Sequence, residues 1–65
     1  MIEFVFKAVW AYPDGKEVFV MCKTIESDRF RALRNAVNWF HKYQHKSIPF
    51  NLRLVRIEIV YEATA

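Results

Sequence analysis

The stretch Ala11-Tyr12-Pro13-Asp14-Gly15-Lys16 holds the chain's only glycine and the first of its two prolines. It reads as a tight turn. Proline presets φ for the first central position, the Asp14 carboxylate can accept from the backbone ahead, and Gly15 tolerates the left-handed conformation that closes a hairpin. On its N-terminal side, residues 2–12 alternate as a strand does. Ile2, Phe4, Phe6, Ala8 and Trp10 fall on one face, and Glu3, Val5, Lys7, Val9 and Ala11 fall on the other. On its C-terminal side, Glu17–Thr24 forms the returning strand, with Val18, Val20 and Cys22 on one face and Phe19, Met21 and Lys23 on the other.

Beyond the hairpin, no Gly or Pro interrupts the chain from Ser27 to Lys46. The spacing predicts a helix that opens at Ser27, whose hydroxyl caps the first free N–H groups while Asp28 favours the positive end of the dipole. Phe30, Leu33, Ala36, Val37, Phe40 and Tyr43 fall in one broad arc, which is expected to cover the sheet. Pro49 ends the helix and pushes Ile48 toward an extended conformation. Ile48, Phe50 and Leu52 are then expected to tuck under the helix end.

A last strand is predicted over residues 53–62, and it changes phase. Leu52 and Leu54 are apolar at even positions, whereas Val55, Ile57, Ile59 and Tyr61 are apolar at odd ones. A strand alternates with period two, so a bulge is required near Leu54-Val55. The order β-β-α-β defines an α+β fold, with one helix laid on one face of a three-stranded, mainly antiparallel sheet. The order 2-1-3 is favoured over 1-2-3, because the first strand is the most hydrophobic and suits the centre.

Sixty-five residues with 54% apolar content make one small domain, residues 1–65, and exclude a disordered chain. No apolar run approaches the roughly 18 residues that a membrane span needs, and no cationic region leads an apolar one at the N-terminus. A lone cysteine, Cys22, excludes an internal disulfide and is expected as a buried structural thiol in a reducing, cytoplasmic compartment. One helix covers one sheet face. The other face carries Val5, Val9, Phe19 and Met21 with no element to cover it, so a homodimer is expected, through that face or through an edge strand.

The net charge of +3 is unevenly spread. Residues 1–28 sum to −2, residues 29–57 hold seven cations and no acid, and residues 58–65 sum to −2. Such a block attracts phosphates or an acidic protein surface. No phosphate loop, paired cysteines, nucleophile elbow or acidic metal loop is present, so no catalytic residue, metal site, cofactor or small-molecule substrate is expected, and the chain reads as a non-enzyme. His41 and His45 share a side of the helix but have no neighbouring acid or thiol to complete a metal site, and they read as solvated.

The face expected to bind a partner lies on the outside of the helix. Arg31, Arg34, Asn38, His41, Lys42 and His45 fall within about 100° of one another. Asn35, Trp39 and Lys46 lie at one margin. Tryptophan beside arginine and amide groups is the composition of a protein-binding anchor. The same cations, amides and aromatic also suit DNA or RNA. An acidic protein partner is the preferred expectation and nucleic acid the alternative. In element order and size, with Trp10 just before the hairpin turn, the chain is similar to small phage-encoded proteins that bind and block one host or toxin protein, such as the antitoxin that silences a host endoribonuclease. That resemblance implies a regulator or inhibitor without catalytic residues. The RNA-recognition fold is a poorer match, since its first helix lies between strands one and two.

Overall fold

The computed structural model describes residues 1–49 and 51–64. The chain runs through β1 (Ile2–Ala11), β2 (Glu17–Glu26), α1 (Arg29–Ser47) and β3 (Arg53–Thr64). The strands form one antiparallel sheet in the order β2-β1-β3, as the sequence predicts.

The hairpin closes by the expected chemistry. Gly15 sits at φ +95°, its N–H donates to Tyr12 O at 2.9 Å, and Tyr12 N–H donates to Lys16 O at 2.8 Å. Asp14 Oδ1 accepts from Lys16 N–H at 3.0 Å. In β1, Phe4, Phe6, Ala8 and Trp10 are fully buried and form the floor of the core.

β3 contains the bulge that the phase change requires. Trp10 lies opposite Leu54 while Val9 lies opposite Arg56, so Val55 is the extra residue. A second shift was not expected. Phe6 lies opposite Ile59 while Val5 lies opposite Tyr61, which makes Val60 extra as well. Residues directly opposite share a face. Leu54, Ile57 and Ile59 therefore join the core side of the sheet, and the second bulge turns Tyr61 to the back beside Val5.

The helix begins one residue later than predicted. Asp28, not Ser27, is the N-cap, and its Oδ1 accepts from Arg31 N–H at 2.9 Å. At the other end Ile48 is extended and donates to Gln44 O at 3.2 Å, in keeping with the constraint that Pro49 imposes. Leu52 is buried and Ile48 packs against the core, as expected. The expectation for Phe50 lies outside the described residues.

The larger correction concerns which side of α1 meets the sheet. Ala32, Ala36 and Phe40 are buried, with Tyr43 packed beside them. Of the six residues expected to cover the sheet, Phe30, Leu33 and Val37 are instead 77%, 40% and 42% exposed. The helix is turned by roughly 50–60° from the predicted arc. The physical reason lies in β1. Its row of Phe4, Phe6 and Trp10 already fills the inter-layer space, so α1 presents two alanines to those rings and approaches closely. Phe40 then closes the far end edge-on to Trp10, with ring centroids 6.0 Å apart. Trp10 Nε1 has no hydrogen-bond partner among the described residues.

A helix with its side chains is about 10–12 Å wide and strands lie about 4.8 Å apart, so one helix covers about two strands. α1 settles on β2 and β1. Asn35 Nδ2 donates to Glu26 Oε2 on the β2 side. On the β3 side the tie is an ion pair at the helix start, with Arg29 Nη2 donating to Glu62 Oε1 at 2.9 Å. Leu54 and Ile59, which face the same way as the core, remain 38% exposed each.

Candidate functional site

The cations of α1 point outward for a simple reason: an unpaired charge buried against the sheet would cost more than the helix could recover. Arg31, Arg34, Asn35, Asn38, Trp39, Lys42, His45 and Lys46 are all exposed. They differ in how free they are. Arg31 is drawn to the capping carboxylate, with Nε 3.6 Å from Asp28 Oδ2. Asn35 is held by Glu26. Arg34, Asn38, Lys42, His45 and Lys46 have no side-chain partner among the described residues.

Trp39 stands between the two regimes. It is 43% exposed. Its ring stacks on Tyr43 with centroids 5.3 Å apart and planes 16° from parallel. It also meets the buried Phe40 ring edge-on at 5.4 Å. Tyr43 in turn lies 6.5 Å from Trp10, so Trp39 is the outermost ring of an aromatic cluster rooted in the core. One face of the indole is spent on packing and the rest is open.

Sequence reasoning missed the neighbours on the other flank of the helix. Phe30, Leu33 and Val37 border an open hollow of about 440 Å³ together with Arg34 and Asn38. Their spacing of three and four is also the signature of a core stripe, so periodicity alone places them against the sheet.

The back of the sheet is mixed. Phe19, Met21, Ile25 and Tyr61 are about half exposed. Charges interrupt them: Lys7 Nζ lies 4.7 Å over the Phe19 ring, and Lys23 Nζ lies 3.9 Å from Glu3 Oε2. Arg56 reaches Glu17 at 3.6 Å and Glu58 at 3.9 Å.

Groups able to do chemistry are scattered. Among the described residues no three of His, Cys, Asp and Glu gather as a metal site. His41 and His45 border an open surface hollow with Gln44 and Ile48. Cys22 is buried, and the loss of solvation pushes its thiol pKa up, away from the reactive thiolate. No helix among the described residues is long and apolar enough to cross a membrane. Comparison with protein-family models, curated proteins and solved structures found no match.

Proposed function

We propose that this chain is a small non-catalytic binding protein of regulator or inhibitor type, which engages an acidic protein partner through the exposed side of α1. The observation that carries this reading is the combination on one helix of unpaired cations with bare apolar side chains. Arg34 and Asn38 share a hollow with Phe30, Leu33 and Val37, while Lys42 and the half-open Trp39 lie across the helix. Apolar area next to cations suits a partner that offers both apolar and acidic groups. The buried Cys22 thiol fits a reducing, cytoplasmic setting.

DNA or RNA is the second reading. It is favoured by the cations and amide of α1 that lack acidic partners among the described residues, since phosphates need such groups and little else. The aliphatic part of the flank weighs against it, because neither phosphates nor stacked bases give much return for burying Leu33 and Val37. Salt separates the two. A complex made by several phosphate contacts loses about 10³–10⁵ in affinity between 50 and 200 mM salt. A contact anchored by Trp39 and Phe30 is expected to lose far less. Titration of the protein with single-stranded and duplex oligonucleotides at low salt tests this directly. Shifts of the Arg34 and Lys42 amide signals would refute the protein-partner reading, and unmoved signals would remove the nucleic-acid one.

Homodimerisation belongs to the same proposal, with the back of the sheet as the contact. The surface area of 4812 Å² exceeds the roughly 4,400 Å² expected for a compact monomer of this mass. Phe19, Met21, Ile25 and Tyr61, each about half exposed, supply apolar area on that face.

A further inference from the structure

β2 is an edge strand, with β1 on one side and no strand among the described residues on the other. Its ten residues pair with β1 without a register shift, and none is a proline. The opposite edge, β3, is broken by the bulges at Val55 and Val60, a device by which sheets discourage further pairing. Only β2 therefore offers a regular ladder to an incoming strand.

The hairpin fixes which groups the ladder offers. Tyr12 N–H donates to Lys16 O, so these two residues form a hydrogen-bonded pair. Such pairs recur at every second position of an antiparallel ladder. Val18, Val20 and Cys22 thus spend their N–H and C=O groups on β1, while Phe19, Met21 and Lys23 direct theirs outward. The side chains of Phe19 and Met21 lie on the back of the sheet, 59% and 48% exposed.

α1 adds charge above the same edge. Asn35 marks the side of the helix that meets β2, since it donates to Glu26. Lys42 and Lys46 lie within about 20° of Asn35 around the helix, and Trp39 lies about 40° from it toward the core. Both lysines are exposed, and neither has an acidic partner among the described residues. Phe40 and Tyr43 pack on Trp10, which lies opposite Val18, so this part of α1 stands over the Val18 half of β2. No acid of β2 answers the lysines there. Glu17 turns to the back, 3.6 Å from Arg56, and Glu26 is at the far end, held by Asn35.

We propose that the β2 edge takes an extended segment of the acidic partner as a fourth strand, with Asp or Glu on its α1 side and apolar residues on its back. The inference rests on the acidic-partner reading above and gives that partner a conformation. The outward N–H and C=O groups of Phe19, Met21 and Lys23 supply the backbone bonds. Alternate side chains of the guest then meet Lys42 and Lys46 above the sheet and Phe19 and Met21 below it. A second copy of β2 does not fit. Antiparallel pairing about a two-fold axis puts both helices on one side of the joined sheet. With each α1 centred over β2 and β1, their axes lie only about 10 Å apart, which sets Arg31, Lys42 and Lys46 of each against the other.

The test uses the full chain and synthetic peptides as long as β2. One alternates glutamate with valine, a second alternates lysine with valine, and a third is the glutamate peptide with its backbone N–H groups methylated. Amide NMR signals and hydrogen exchange report the site. The glutamate peptide is expected to slow exchange at Phe19, Met21 and Lys23 by at least about tenfold relative to Val20 and Cys22, which β1 already holds. It should bind at least about tenfold tighter than either of the others. Met21→Pro, where the N–H points outward, should abolish the effect. Lys42→Glu should weaken it even if the first variant fails to fold. No selective slowing, equal binding of the lysine peptide, or undiminished binding of the methylated one overturns the edge strand. Slowing at the same amides on concentrating the protein alone assigns the edge to a second copy and also overturns it. Shifts confined to Phe30, Leu33 and Val37 overturn the edge strand but leave the acidic-partner reading standing.

Discussion

Ala36 is fully buried on the line of α1 that faces the sheet, between the buried Ala32 and Phe40. Ala36→Leu would push three more carbon atoms toward the rings of β1. A close-packed interior has no room for them, so the helix must lift or the rings must leave their rotamers, at about 1–3 kcal/mol. A domain of this length has roughly 3–10 kcal/mol in hand, at about 0.05–0.15 kcal/mol per residue. Each kilocalorie moves the midpoint by about 4–8 °C at this size. Ala36→Leu is therefore expected to lower Tm by about 8–16 °C for a mid-range cost of about 2 kcal/mol. Phe30 provides the control, being 77% exposed on the opposite flank. Phe30→Ala should change stability by no more than about 0.5 kcal/mol. Thermal unfolding followed by far-ultraviolet circular dichroism compares the two. If Phe30→Ala melts lower than Ala36→Leu, the helix meets the sheet through Phe30, Leu33 and Val37, and the rotated packing described above is wrong.

Trp39→Ala removes a half-exposed ring stacked on Tyr43, so it should cost about 2 kcal/mol, roughly half the value for a fully buried aromatic. It should also weaken partner binding by at least about 2 kcal/mol, and unchanged binding in the folded variant would remove Trp39 from the interface. Asp28→Ala deletes the cap that accepts from Arg31 N–H and should cost about 1 kcal/mol, whereas Ser27→Ala should be close to neutral in the same denaturant titration. Burial raises the Cys22 pKa in the folded state. Its contribution is thus fully present below the unfolded thiol pKa of about 8.5 and is lost as pH rises through the folded value. The stability gap between the native protein and Cys22→Ala should narrow from pH 7 to about pH 10, and a constant gap would refute the assignment. Sedimentation should find a dimer at micromolar concentration through the sheet back, with Phe19→Lys returning the monomer; a 7.8 kDa species at all concentrations would refute it.

The parts of the fold legible in the sequence are those where one residue type has no substitute. Gly15 at positive φ and the parity change at Leu54-Val55 each demand a particular backbone geometry, and each is found. The second bulge left no such trace. Ile57, Ile59 and Tyr61 keep an unbroken odd-numbered alternation across Val60, because the residue turned outward by the bulge is also apolar. The cations of α1 were legible as exposed because charge cannot be buried unpaired. Which of them are occupied was not, since the pairing of Asn35 with Glu26 and of Arg29 with Glu62 depends on where the strands end.

The rotation of α1 was hidden by the assumption that the largest apolar residues of a helix face inward. That rule holds when the helix supplies the bulk of the core. Here β1 supplies it through Phe4, Phe6 and Trp10, and the helix contributes two alanines and Phe40. Leu33, Val37 and Phe30 are then surplus. A single helix on three strands cannot enclose the apolar residues that make up 54% of this chain. The excess appears in two places, along the α1 flank beside β3 and on the back of the sheet. Selection for solubility alone would place polar side chains at positions as open as Phe30, Phe19 and Tyr61. Their exposure on both faces of so small a chain supports the proposal of an apolar partner surface, and the unpaired cations of α1 support the proposal that this partner is acidic.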